Sequence, residues 1–169
     1  MSKMSLGLRL AAMTALAAFA AAPASADGLL VTHRIPAALA NEAVAEVVAA
    51  CAKQNYTETA VIVDADGVRL ATLRGDRAGA HTLDSAFYKA YTAASFKADT
   101  TAIFERAKTN PTVTNLITKL PNLVLAGGGL VIKSGDEVLG GIGASGAPGG
   151  DLDDVCAKAG LDKIIAGMK

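Results

Sequence analysis

The chain has 169 residues, with 16 basic and 16 acidic side chains, so its formal net charge at pH 7 is 0. Hydrophobic residues make up 51% of the sequence and charged residues 19%. Such a chain is too apolar to be disordered, and it lacks the basic field that attracts nucleic acid. Its length is typical of one domain. We therefore expect a single globular domain with no nucleic-acid partner.

The first 26 residues have the pattern of a secretory signal peptide. Lys3 and Arg9 precede an uncharged run over residues 10–22, which is followed by the small-residue motif Ala24-Ser25-Ala26. An uncleaved membrane anchor would need about 20 apolar residues, and this run is shorter and ends at a proline. We predict cleavage directly after the motif. The mature chain, residues 27–169, would then be periplasmic or secreted, without a membrane span.

The mature sequence predicts helices and β-hairpins in alternation. Two apolar runs flank an Asp-Gly turn at 64–67, which is typical of a hairpin. In chain order, the expected elements are a helix over about 36–55, strands 59–63 and 68–74, a helix from Thr82 to about Ala94, helices over about 100–108 and 111–119, strands 130–133 and 138–144, and a helix from about Asp151 to Ala159. The last helix should end there because Gly160 is a typical C′ residue. We expect an α+β fold with helices packed on one antiparallel sheet.

The two cysteines, Cys51 and Cys156, both continue apolar rows at helical spacing. Their wide separation excludes a C-x-x-C redox or zinc motif. An exported protein could join them in a disulfide between the first and last helices. They could equally be two small buried hydrophobic side chains that never pair. The sequence leaves both alternatives open.

The segment 141–146 matches the dinucleotide-binding pattern G-x-G-x-x-G. A dinucleotide site would need a second parallel strand after it, and the few residues that follow do not have a strand pattern. We interpret these glycines as positions where the strand turns tightly and packs close to another backbone.

The segment 74–91 combines a histidine, three aromatic residues and three cations at the junction of a loop and a helix. His81 immediately precedes Thr82, the expected N-cap, and the positive end of the helix dipole disfavours protonation of an imidazole there. A neutral imidazole can ligate a metal. On pattern alone, His81 could also be a solvated loop residue, and Leu83, Phe87 and Tyr91 could be core residues.

Five segments of the chain, 60–67, 81–85, 89–95, 128–146 and 151–161, follow one another in an order that is typical of a known family. They resemble the GlcG/HbpS family of haem-binding-like domains, and the similarity extends over about residues 36–165. The resemblance implies a profilin-like or roadblock-like α+β domain that assembles into homo-oligomers, often octamers. It also implies binding of haem or a related tetrapyrrole.

The resemblance also implies roles for single residues. His81 lies where relatives approach the tetrapyrrole, so it is the expected axial ligand of the haem iron, and Lys89 matches a basic position of the family. We expect Phe87, Tyr88 and Tyr91 to contact the ring, and Arg77 and Lys89 to pair with the propionates. No catalytic residue is predicted.

The expected function is haem capture, or sensing of haem or redox state, by an exported protein. Two alternatives stay open. One is an enzyme that degrades haem or acts on another small molecule. The other is a ligand-free accessory module that serves an exported dehydrogenase or a sensor kinase.

Overall fold

A computed structural model describes Gly28 and residues 30–168, so the predicted signal peptide lies outside the described residues. The chain divides into two units, 1–31 and 32–169, and the fold below is that of the second. Its elements are α1 (Ala37–Ala52), β1 (Thr59–Asp64), β2 (Arg69–Arg74), α2 (Thr82–Phe96), α3 (Thr100–Thr109), α4 (Pro111–Lys119), β3 (Gly129–Ser134), β4 (Glu137–Ser145) and α5 (Gly150–Gly167). Within residues 30–168, no helix is both long enough and apolar enough to cross a lipid bilayer.

The four strands form one antiparallel sheet in the order β2-β1-β4-β3. Helices α1 and α5 pack on one face of the sheet, where Ile62 and Ile142 contribute to the core. Helix α2 packs on the other face, against Val61 and Val63. Every residue of β1 is buried because helices cover both faces. The predicted α+β fold, with helices on an antiparallel sheet, is therefore confirmed.

Glycines on β4 allow α2 to approach the sheet closely. A β-carbon at Gly141 would collide with the carbonyl oxygen of Ala90, and one at Gly143 would collide with that of Ala86. Alanines on the helix therefore lie directly over glycines on the strand. This contact confirms that the glycine-rich segment serves backbone packing.

Helix α5 differs from its predicted length, because it continues through Gly160 to Gly167. Gly160 lies where α5 passes α1, and a β-carbon there would meet the side chain of Val47 and the carbonyl oxygen of Ala43. The glycine is thus required for close packing of two helices, and it does not end the helix. The predicted end after Ala159 was wrong for this reason.

Candidate functional site

The loop that enters α2 places His81 at the N-cap position, one residue earlier than expected. Thr82 is the first helical residue, and its hydroxyl donates to the carbonyl oxygen of Gly79 at 2.6 Å. The same hydroxyl oxygen lies 2.6 Å from that of Thr59 on β1. These two contacts tie the start of α2 to the sheet. The helix origin is therefore fixed, and with it the position of His81.

The side chain of His81 lies on the solvent side of α2. At 100° per residue, position 81 is opposite Ala86 and Ala90, which pack on the sheet. The imidazole folds back over Gly79, where a β-carbon would collide with the ring. Among the residues that the structure describes, none forms a hydrogen bond or an ion pair with this imidazole.

His81 lines none of five surface cavities, of 60 to 590 Å³, in the described part of the chain. The cavity that includes Tyr91 has a volume of 310 Å³ and lies near the other end of α2, against Leu116 and Leu120. None of these five cavities therefore places a macrocycle against His81.

The three predicted aromatic residues lie together on α2 and are half-buried. The ring of Phe87 is 5.8 Å from that of Tyr88 and 5.7 Å from that of Tyr91, measured between centroids. The guanidinium of Arg69 lies 3.8 Å from the centroid of Phe87 and covers one face of that ring. Leu83 is exposed, so it does not belong to the core that its spacing suggested. Tyr88 is two helical turns from His81 on the same side of α2.

The two predicted propionate partners have opposite surroundings. Arg77 is exposed in the loop before α2. Lys89 is buried, and its Nζ donates to the carboxylate of Asp153 at 2.5 Å and to the carbonyl oxygen of Ala144 at 2.9 Å. The expected pairing of Lys89 with a propionate does not fit this placement, because the ammonium group points into the interior toward α5.

The interior near Lys89 contains a cluster made of Glu58, Lys89, Asp153 and the Cys51–Cys156 disulfide. The disulfide is one of the two alternatives that the sequence left open, whereas its association with the three charged residues was not indicated by the sequence. The disulfide joins α1 to α5, with the two Cα atoms 5.5 Å apart. The side chain of Glu58 is almost wholly buried, and one of its oxygens lies 3.2 Å from the sulfur of Cys51. Burial, together with the charge of Asp153 and a hydrogen bond to it, raises the pKa of Glu58 from 4.5 to about 8.

The same cluster contains three groups that commonly ligate metals. The two sulfurs and a carboxylate oxygen of Glu58 lie within 4.8 Å of one another. Both sulfurs are bonded to each other, so in this state they cannot act as thiolate ligands. The cluster is therefore not a metal centre while the disulfide is intact.

Together, these features define a single-domain α+β protein with a surface histidine at the head of one helix and a buried charged cluster beneath that helix. The family model described as "Haem degrading protein HbpS-like" matches residues 35–162. The chain belongs to this HbpS-like family.

Several solved structures are similar to the chain. A double mutant of HbpS from Streptomyces reticuli is 36% identical, with a TM-score of 0.74, and the match covers 85% of this chain and 97% of that one. The ORFY protein of Klebsiella pneumoniae is 26% identical, with a TM-score of 0.77, over 83% of this chain and 97% of that one. A haem complex of PduOC is 24% identical, with a TM-score of 0.66, over 72% and 88%, and this match shows the fold alone. No curated protein matches the chain.

Proposed function

We propose that this protein binds haem and acts, after export, in haem capture or in the sensing of haem or redox state. Two comparisons support the proposal. The family is described as haem-degrading and HbpS-like, and the similar PduOC was solved as a haem complex. The observation on this chain that carries the proposal is the exposed imidazole of His81, which has no partner among the described residues.

His81 would ligate the iron, and the iron would supply the redox chemistry. A metal ligand requires a ring nitrogen that is free to bind, and the imidazole of His81 is exposed. Tyr88 lies on the same side of α2, and Tyr91 and Phe87 extend this aromatic surface around the helix. The exposed cation of Arg77 would pair with a propionate. Lys89 has no direct part in this site, because its ammonium group is buried against Asp153.

The other face of the macrocycle would be covered by a second copy of the chain. A single copy presents His81 on a convex helix end, and a flat apolar ligand left there would keep much of its surface in water. Homo-oligomer formation, which the family resemblance implies, would bury that surface. The proposed site is therefore shared between copies, with His81 contributed by one or both of them.

The experiment is a haem titration of the purified protein beside two variants. Wild type should develop a Soret band, and His81→Ala should lose it or shift it. His33→Ala is the matched control, because that ring is hydrogen-bonded to Glu137 at 2.6 Å at a different place in the fold. Identical bands in wild type and His81→Ala would exclude His81 as the ligand. No band in either would overturn the haem proposal.

Haem degradation is the second candidate, and the family's description is the observation that favours it. A binding protein and a degrading enzyme differ when a reductant is added to the haem complex in air. Degradation bleaches the Soret band and releases iron, whereas binding alone shifts the band as the iron is reduced but retains its intensity and releases no iron. The aerobic complex should therefore be followed with and without ascorbate.

A further inference from the structure

Glu58 is a buried acid whose hydrogen bonding is incomplete. It directly precedes β1, and only 1% of its surface is exposed. Among the side chains of the described residues, its Oε1 is the buried polar atom that has no hydrogen-bond partner. Leaving such an atom unsatisfied lowers stability, and an apolar side chain would avoid that loss. Packing alone therefore does not explain why a carboxyl group occupies this position.

The other oxygen of Glu58 contacts the disulfide. Oε2 lies 3.2 Å from the sulfur of Cys51. A disulfide sulfur has no proton to donate, so this contact is a hydrogen bond only when the carboxyl group donates its own proton to the sulfur. Burial, the charge of Asp153 and a hydrogen bond to Asp153 raise the pKa of Glu58 to about 8, so at neutral pH the carboxyl group has a proton that it can direct to Asp153 or to this sulfur.

The neighbours of Glu58 keep the proton on this residue. Cys51 faces it from α1, Lys89 from α2, and Asp153 and Cys156 from α5. Asp153 accepts from Lys89 at 2.5 Å and from the backbone N–H of Ala147 at 3.0 Å. Glu58 is the member of the cluster whose pKa is raised, so it is the group with a proton to give at neutral pH.

We propose that Glu58 is the proton donor and acceptor of a redox-active Cys51–Cys156 pair, which exchanges with a dithiol reductant. This arrangement differs from a C-x-x-C motif, because helix packing, not sequence spacing, brings the two sulfurs together. The acid is supplied by the residue before β1.

In the forward reaction, a thiolate of the dithiol forms a bond to the sulfur of Cys156, and the bond between the two protein sulfurs breaks. The electron pair goes to the sulfur of Cys51, which takes the proton of Glu58. The second thiol of the dithiol then loses its proton to the Glu58 carboxylate and closes on the first sulfur. This displaces the Cys156 thiolate, which takes a proton from water. Two electrons pass to the protein, the dithiol becomes a cyclic disulfide, and Glu58 is protonated again.

The reductant reaches the sulfurs through local opening, since both cysteines are fully buried in the closed fold. Cys51 lies one residue before the end of α1. The connection from Lys53 to Thr57 that follows it is largely exposed and contains Asn55 in the left-handed conformation, with φ of 63°. Exposed connections of this kind open at lower free energy than the core does. Opening here would move the end of α1 away from α5 and give the reductant access to the sulfur of Cys156, the atom that it attacks.

The test measures the rate of disulfide reduction by dithiothreitol, as a function of pH, in wild type and Glu58→Gln. Glutamine keeps the size of the side chain but cannot transfer a proton. At about pH 7 wild type should react at least about 10-fold faster, because general acid catalysis typically contributes about 100-fold or more. Each rate is divided by the opening equilibrium constant of that protein, measured by amide hydrogen exchange at the same pH, and the ratio of the two quotients should fall toward 1 above about pH 9, where Glu58 is ionised. Glu105→Gln, at an exposed position on α3, should match wild type throughout.

A purely structural role for Glu58 acts only through opening of the fold. Ionisation of the buried carboxyl loosens the wild-type cluster and raises its uncorrected rate with pH, but the corrected ratio would then stay at 1. A ratio that rises with pH, or that stays at 1, overturns the proposal. Should the variant fail to fold, the test uses the solvent deuterium isotope effect on the rate at which dithiothreitol reduces wild type. At about pH 7 this effect should exceed the one measured for glutathione disulfide, and above about pH 9 the two effects should be equal. Equal effects at both pH values also overturn the proposal.

Discussion

The ammonium group of Lys89 lies 2.5 Å from the carboxylate of Asp153, and both side chains are almost fully excluded from solvent. This pair connects α2 on one face of the sheet to α5, which packs on the other. The carbonyl oxygen of Ala144 on β4 accepts a second hydrogen bond from the same ammonium group. The two layers are therefore joined by a charged contact. A buried ion pair of this kind depends strongly on the presence of both partners.

Removal of one charge of the Lys89–Asp153 pair should lower the free energy of unfolding more than removal of both charges. Lys89→Met leaves the Asp153 carboxylate buried without its cation, and we expect it to lower the free energy of unfolding by about 3–5 kcal/mol. Adding Asp153→Asn should recover at least half of that loss, because the amide oxygen can still accept from Ala147. Urea denaturation of the oxidised proteins measures both effects.

A matched control uses the Lys158–Asp162 pair on α5, where the charged atoms are also 2.5 Å apart but both side chains are more than half exposed. Lys158→Met should cost less than about 1 kcal/mol. Equal losses at the two lysines would show that burial does not set the strength of the interior pair.

Glu58 should make stability fall as pH rises. Its pKa is 4.5 in the unfolded chain and about 8 in the folded protein, so between these values the folded state retains a proton that the unfolded state has lost. The free energy of unfolding therefore decreases from about pH 4.5 to about pH 8 and then levels off. The difference between the two pKa values gives an upper limit of about 5 kcal/mol for this loss.

The corresponding experiment compares urea midpoints of wild type and Glu58→Gln at about pH 5, 7 and 9. The variant should be the more stable protein at the highest pH, and the difference between the two should shrink as pH falls. A constant difference across this range would mean that Glu58 does not titrate as its surroundings indicate.

The layers of this fold could be predicted from the sequence because hairpin turns and helical spacing are local patterns. Both hairpins and all five helices lie where those patterns place them, within a few residues at most ends. The end of α5 could not be predicted, because the sequence around Gly160 fits a helix end as well as a close contact between two helices. Only the position of Val47 on α1 distinguishes the two cases.

The buried cluster could not be predicted because its members come from distant parts of the chain. Asp153 lies in the first turn of α5, where an acidic residue usually compensates the helix dipole. Lys89 is an isolated cation between apolar neighbours on α2, and in such a context a lysine is normally exposed. The sequence did offer one indication that Lys89 is buried, because helical spacing places it next to the alanines of α2. Its partner could be identified only from the fold.

The Cys51–Cys156 disulfide closes a large loop and should contribute substantially to stability. The two residues are 105 positions apart, which in the chain-entropy model corresponds to nearly 5 kcal/mol. We expect the double variant Cys51→Ala/Cys156→Ala to lose about 2–5 kcal/mol. Thermal and urea unfolding measure this loss, with dithiothreitol-treated wild type as the comparison. A loss below about 1 kcal/mol would show that packing of α1 on α5 suffices without the bond.

The contact between β4 and α2 should not tolerate even a methyl group. A β-carbon at Gly143 would collide with the carbonyl oxygen of Ala86, so Gly143→Ala must push α2 away from the sheet. We expect a loss of about 1–3 kcal/mol in the free energy of unfolding. Gly135→Asn is the control, because Gly135 has a φ of 57° in open space and asparagine accepts that conformation. Displacement of α2 also moves His81, so Gly143→Ala should weaken haem binding where Gly135→Asn does not. If both variants bound haem as wild type does, the position of α2 would not determine the proposed site.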